Sequence, residues 1–339
     1  MPRLMRTQEA PRRRRSGMTL VEIMVSLILL GIVSGVLMRV ILRQQRFYQG
    51  VNQILTQRGQ LRNATTVLPV DLRSLSSVGA DILVASDSSM EVMVNVGTGV
   101  VCQVVNGAKV AMPPEALASG QSITSWYGYG VPDPKNKPKS AYTVYIYNDS
   151  VTLGNADDRW QKFTLVDVVP DKTVCLTKYV TIADAGKDRF ILELKSSDAS
   201  DPVTGGPLSQ YIGVGAPVRV MKLVRYKLYL ESDGRWYLGY SDWNAGAAKY
   251  DDLAPVSGPY DAYASGSGTA TGLGFRYYDV DGNEIASGAD SASRSKIARV
   301  DLIARARTSS NVKAAGIQGG LNQQYKDSLA VSVMLRNRN

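Results

Sequence analysis

One carboxylate inside an apolar run, two cysteines and a short array of acids at a turn are the residues of this chain with chemistry to offer. Glu22 stands near the start of the segment Met18–Leu42, whose only charges are Glu22 and Arg39. A carboxylate at membrane depth costs roughly 2.5–3.5 kcal/mol by insertion scales, so it needs a partner or a purpose. Cys102 and Cys175 are the only cysteines. In an oxidising compartment they can pair, for roughly 4 kcal/mol in the chain-entropy model; the alternative is two unrelated buried thiols. Asp279, Asp281 and Glu284 offer oxygens of the kind that hold calcium. The same stretch, with Asp281-Gly282-Asn283, is what a hairpin turn needs for backbone reasons alone, and the full calcium-loop pattern is missing. Asp157-Asp158 is a weaker pair of the same kind.

The chain has 339 residues and no histidine. That removes Ser-His-Asp and Cys-His catalysis and argues against a zinc enzyme. With no Walker loop either, no nucleotide site is legible, and the chain reads as a non-enzyme without a cofactor, calcium aside. The formal charge of +9 is concentrated at one end: six arginines and one glutamate lie in residues 1–17, leaving +4 for the rest. That is far from the basic stripe of a dedicated nucleic-acid binder.

Glu22 has to be positioned by a helix. Met18–Leu42 would rise about 37 Å, enough to cross a bilayer with some tilt, and Arg12 to Arg15 would hold its amino-terminal side in the cytoplasm. Arg39, Arg43, Arg46, Arg58 and Arg62 follow beyond, where lipid head groups or acids of neighbouring subunits could meet them. Phe47, Val51, Ile54, Arg58, Leu61, Thr65 and Leu68 continue at steps of four and three, an amphipathic face that must pack on something. Pro69 is expected to end or kink the helix, with a second short turn over residues 70–75. Gly31 and Gly35 form a small-xxx-small pair suited to close helix approach, although glycine is common in membrane helices anyway.

Arg12-Arg13-Arg14-Arg15-Ser16-Gly17 followed by Met18-Thr19-Leu20-Val21-Glu22 resembles the prepilin peptidase site of type IV pilins and type II secretion pseudopilins. The resemblance implies a cut between Gly17 and Met18, methylation of the new amino terminus, and Glu22 as the fifth mature residue. It also implies prepilin peptidase, other pilins or pseudopilins, and the inner membrane as partners. Two positions depart from the family pattern: Met18 where Phe is usual, and Arg39 where major pilins commonly carry a kinking proline. On the residues alone, a free ammonium on Met18 would share a helix face with Glu22, and the helix dipole favours an anion there. In a fibre the same acid could neutralise a neighbour's ammonium and so set register. An ordinary signal anchor with a stray acid stays open. A cleaved secretory signal fits worse, because the apolar run is too long and no small-x-small site follows.

The remainder reads as strands. One group is expected at Met90–Val96, Val100–Val105, Ala141–Asn148, Phe163–Val169, Thr173–Thr181 and Phe190–Leu194. The second is Val218–Glu231, Arg235–Ser241, Leu273–Asp279, Ile297–Arg307 and Leu329–Arg336, with clear period-two alternation at Val300, Leu302, Ala304 and Ala306. Ser232-Asp233-Gly234 is a second hairpin turn. The stretches 132–138, 196–207 and 244–272 read as loops, the last a long one. The organisation expected is a cleaved basic leader at 1–17, a transmembrane and amphipathic helix at 18–75, a β-rich region at 76–200 and an antiparallel sheet region at 208–339. The fold class is α+β and pilin-like. Trp126, Tyr127, Tyr129, Trp236, Tyr237, Tyr240 and Trp243 could stack on sugars or bases, or pair across strands.

Residues 223–230, 272–282 and 297–302 look like W-type minor pilins and J-type pseudopilins, a looser match carried mostly by strand pattern. What these resemblances imply is a minor pilin-like subunit of a type IV pilus: a single-pass inner-membrane protein with its domain outside the cytoplasm, later in a fibre at the cell surface, serving motility, adhesion or DNA uptake. A J-type pseudopilin of type II secretion is the nearest rival, and a DNA-binding or adhesive tip subunit the next.

Overall fold

The computed structural model describes residue 17 and residues 19–77, 79–128, 130–135, 142–148, 159–176, 179–196, 212–263, 272–308, 311–312 and 324–335. These fall into two compact units, one within Met1–Ile54 and Ser309–Tyr325, the other within Leu55–Thr308 and Lys326–Asn339. The class is α+β: one long amino-terminal helix and large antiparallel sheets.

The helix α1 spans Leu20–Arg73. In the first unit its residues from Leu20 to Leu42 are exposed all round although nearly all are apolar, the pattern of a helix whose solvent is lipid or other helices. Gly50 is buried, and a Cβ there would lie 2.7 Å from Val312 Cγ1, so the approach requires glycine. A Cβ on Gly31 or Gly35 would meet nothing.

Within the second unit the helix continues through Pro69, where a break was expected. Proline removes one intrahelical hydrogen bond. Leu61, Leu68, Leu72 and the following Leu75, each at most 2 % exposed, outweigh that loss by entering the core. Of the expected amphipathic face, Leu61 and Leu68 are buried, while Arg58 stays exposed and pairs with Asp327 at 3.0 Å. The buried polar residue is its neighbour Gln57, whose Nε2 donates to the Ala306 carbonyl.

The strands, in chain order, begin with β1 (Ile82–Ala85), β2 (Ser89–Val100), β3 (Gln103–Asn106), β4 (Lys109–Met112) and β5 (Ser125–Trp126). Then come β6 (Tyr142–Asn148), β7 (Arg159–Asp171), β8 (Arg189–Ser196), β9 (Pro217–Leu230), β10 (Trp236–Asn244), β11 (Lys249–Tyr250) and β12 (Ala254–Tyr260). Last are β13 (Leu273–Tyr278), β14 (Glu284–Ile285), the short helix α2 (Ser291–Arg294), β15 (Arg299–Arg307) and β16 (Lys326–Met334). The main sheet runs β1-β2-β9-β6-β7-β8-β4-β3, with β10 to β12 branching from β9 and β5 from β2; the second sheet runs β14-β13-β15-β16.

The main sheet crosses the boundary placed at residues 200–208, because β9 lies between β2 and β6. One face of β9 serves two cores. Val224, Tyr226 and Leu228 pack with α1 and the second sheet, while Val218 and Val220 pack with Val144, Phe163 and Leu192. The alternation in β15 is realised: Val300, Leu302, Ala304 and Ala306 are all buried. Three expectations change. Residues 90–105 form one long strand with a bulge at residues 95–97, where Asn95 Oδ1 accepts from the Gly97 amide, and then a short one. The loop expected at 244–272 contains β11 and β12; among the described strands β12 pairs only with β10 and so tolerates Pro255 and Pro259. Thr173–Thr181 is not a strand among its described residues. Asp171 Oδ1 takes the amides of Thr173 and Val174 (2.5 and 3.1 Å) and turns the chain, and Cys175 has φ 60°.

Candidate processing and assembly site

Gly17 is exposed and precedes the helix by three residues. Thr19 begins the helix: its Oγ1 accepts from the Glu22 amide at 3.3 Å, and its carbonyl accepts from the Ile23 amide at 3.2 Å. A threonine at this position satisfies a donor that the first turn leaves without an intrahelical partner. Glu22 thus sits in the first turn, exposed, at the end of the macrodipole that favours an anion. Threonine followed three residues later by glutamate is a helix-start signature. Met18 lies outside the described residues, and so do Arg12 to Arg15; the helix begins at Leu20.

Behind this start, the segment is long and apolar enough to cross a membrane, with a mean hydropathy of 2.5 over its best window and none of that window buried. Arg39, Arg43 and Arg46 follow, all exposed. The arrangement can present a cleavable peptide ahead of a helix, hold an acid beside whatever chain end approaches the first turn, and insert the rest into an apolar surrounding.

The other candidates serve the fold. Cys102 and Cys175 are joined in a disulfide, with Cα atoms 5.4 Å apart and a sequence separation of 73. The bond is buried with Ala111 and Val174, and Gln103 Oε1 accepts from the Cys175 amide at 2.8 Å. Asp279 is occupied by its own turn. Its Oδ1 accepts from the amides of Asp281 and Asn283 at 2.9 and 2.8 Å, and its Oδ2 from Asn283 Nδ2 at 3.0 Å. These bonds hold its pKa below the usual carboxylate value. Gly282 takes φ 85° in the same turn, and Glu284 lies 4.0 Å from Arg276. Among the described residues no group of three or more His, Cys, Asp or Glu converges as a metal ligand set. Asp157, Asp158 and Tyr129 lie outside the described residues.

The aromatics pair within the fold. Trp126 meets Phe190 edge-on at 5.4 Å, Tyr240 meets Tyr226 at 5.4 Å, and Trp243 meets Tyr250 at 5.1 Å. Trp236 packs on Tyr263 and Tyr237 on Tyr229; Tyr127 remains exposed.

Sequence reasoning missed the buried charged sites, among them those of Asp81 and Arg189. Asp81 and Arg219 pair at 2.9 Å, 1 % and 13 % exposed. Arg189, fully buried, donates to the carbonyls of Lys172, Ala185 and Asp184. Neither had a local signal, because the partners meet only through the tertiary fold or a turn.

A family model described as the prokaryotic N-terminal methylation motif matches residues 12–38. The match spans the basic run, Gly17, Met18, Glu22 and the apolar helix up to Met38. No curated protein and no solved structure matches the chain.

Proposed function

We propose, from the type IV prepilin-like character of this amino terminus, that the chain is a minor pilin-like subunit of a type IV pilus. Prepilin peptidase cuts between Gly17 and Met18. The helix from Leu20 then holds the protein in the inner membrane with its β-rich domain outside the cytoplasm, and later enters a helical bundle. The observation that carries this reading is the methylation motif continuing directly into a helix whose apolar residues are left exposed among the described residues. An uncovered apolar helix must meet lipid or other helices. Glu22, in its first turn, is the group placed to neutralise the ammonium of a neighbouring subunit, because an unpaired acid in an apolar bundle is costly. The role is structural: assembly or priming of a fibre that serves motility, adhesion or DNA uptake.

The experiment is fibre incorporation of Glu22→Ala and Glu22→Asp variants in cells whose other pilins are intact. Processing is expected to persist while the alanine variant stays in the membrane and the aspartate variant partly assembles. Normal incorporation of Glu22→Ala would remove the register role.

A further inference from the structure

The last turns of α1 face a cavity of about 660 Å³ in the β-rich unit, within the size range of small-molecule sites. Its walls are mainly valines of α1, β2 and β12, with Tyr127 and Tyr240 supplying aromatic surface; Tyr226, 1 % exposed, borders it. Among the described residues two charged side chains line it, Asp71 and Lys222. The lysine charge is already engaged: its Nζ lies 2.6 Å from Asp242 Oδ2, and Asp242 Oδ1 takes the Tyr240 hydroxyl at 2.6 Å. Asp71 is different. Among the described residues its carboxylate has one partner, the Tyr226 hydroxyl, and no cation within ion-pair distance. The cavity is therefore left with one negative charge.

Two further features favour a cation beside Asp71. It sits in the last turns of α1, where the helix dipole attracts positive charge. A tyrosine face attracts an organic cation through the ring quadrupole, the more so when water is excluded. A part-buried carboxylate that served the fold alone would gain by being paired or replaced, since a half-satisfied acid away from water is costly. Burial does push the pKa of Asp71 upward, with the Tyr226 hydrogen bond opposing it.

We propose that this cavity is a binding site for a small organic ammonium ion with an apolar body. The ammonium meets the Asp71 carboxylate, and the body lies against the tyrosine rings and the valine walls. The site is independent of amino-terminal processing, so it stands or falls separately from the assembly reading.

The test is calorimetric titration of the detergent-solubilised full chain with three probes of similar shape and different charge: phenethylamine, phenylacetamide and phenylacetate. Phenethylamine is expected to bind, with the amide and the acid at least tenfold weaker. Asp71→Asn, checked for folding by its thermal transition, is expected to lose at least tenfold in affinity for the amine. Tyr127→Ala, at the exposed rim where the core is not disturbed, is expected to lose several-fold. Preferential binding of phenylacetate would overturn the proposal, as would millimolar phenethylamine giving no heat with the wild type. Unchanged affinity in a folded Asp71→Asn variant would do the same.

Discussion

Arg219 on β9 lies 2.9 Å from the carboxylate of Asp81, just before β1, and the same guanidinium reaches the Ser74 carbonyl at 3.3 Å. Asp81 also accepts from the Ser76 amide at 2.8 Å. Together these bonds tie the segment that leaves α1 to the centre of the main sheet. Removing one partner of a buried pair strands the other charge, at a cost of about 3–5 kcal/mol. Arg219→Ala should therefore lower the unfolding free energy of the domain by that order in urea titrations. A loss under about 1 kcal/mol would mean that the pair is solvated rather than structural.

Asp184 is buried and its pKa is held well below the usual carboxylate range by Lys187 at 3.0 Å, the Thr181 side chain and amide, and the Ala118 amide. A depressed folded-state pKa contributes stability above the unfolded value, near 4, and loses it as pH falls through the folded value. Asp184→Asn should melt below the wild type at pH 7, with the gap shrinking below about pH 4. A gap independent of pH would show that shape rather than charge is at stake.

Asp71 has the opposite sign. Burial raises its pKa, so the ionised form destabilises the fold, an effect absent below the unfolded pKa and complete above the folded one. Asp71→Asn is expected to melt higher than the wild type at pH 7 and to converge with it near pH 3. That outcome fits a carboxylate kept for binding at the expense of stability. A lower melting temperature at pH 7 would instead make Asp71 a structural anchor.

The Cys102–Cys175 bridge spans 73 residues of sequence. Reduction, or Cys102→Ser with Cys175→Ser, should cost roughly 2–4 kcal/mol, read as a lower denaturation midpoint with a steeper slope, because the unlinked denatured chain exposes more surface. Equal midpoints for oxidised and reduced protein would mean that packing around Ala111 and Val174 suffices.

Much of this was legible in the chain. The basic run, Gly17 and the apolar helix announce themselves because their physics is local: charge, length and hydropathy. β15 and β16 show through because one face is more buried than the other, so Val300, Leu302, Ala304 and Ala306 alternate with Arg299, Asp301, Arg305 and Arg307, interrupted only by Ile303. What escaped depends on distant partners. β12 was hidden by Pro255, Gly258 and Pro259, which are tolerable because, among the described strands, it is hydrogen-bonded to β10 alone. Pro69 misled because its helical cost is offset by leucines meeting strands far along the chain. Asp71 and Asp81 look like ordinary surface acids until Tyr226, 155 residues on, and Arg219, 138 residues on, arrive beside them. β9 joins both halves of the main sheet, so a boundary drawn by composition at residues 200–208 fell inside one structural unit.

The most direct test of the proposed processing is intact mass and amino-terminal sequencing of the membrane-extracted protein, from cells with and without prepilin peptidase. A chain that begins at an N-methylated Met18 only when the peptidase is present is the expected result. An uncut chain retaining Arg12 to Gly17 in both cells would contradict it, and α1 would then be an ordinary membrane anchor.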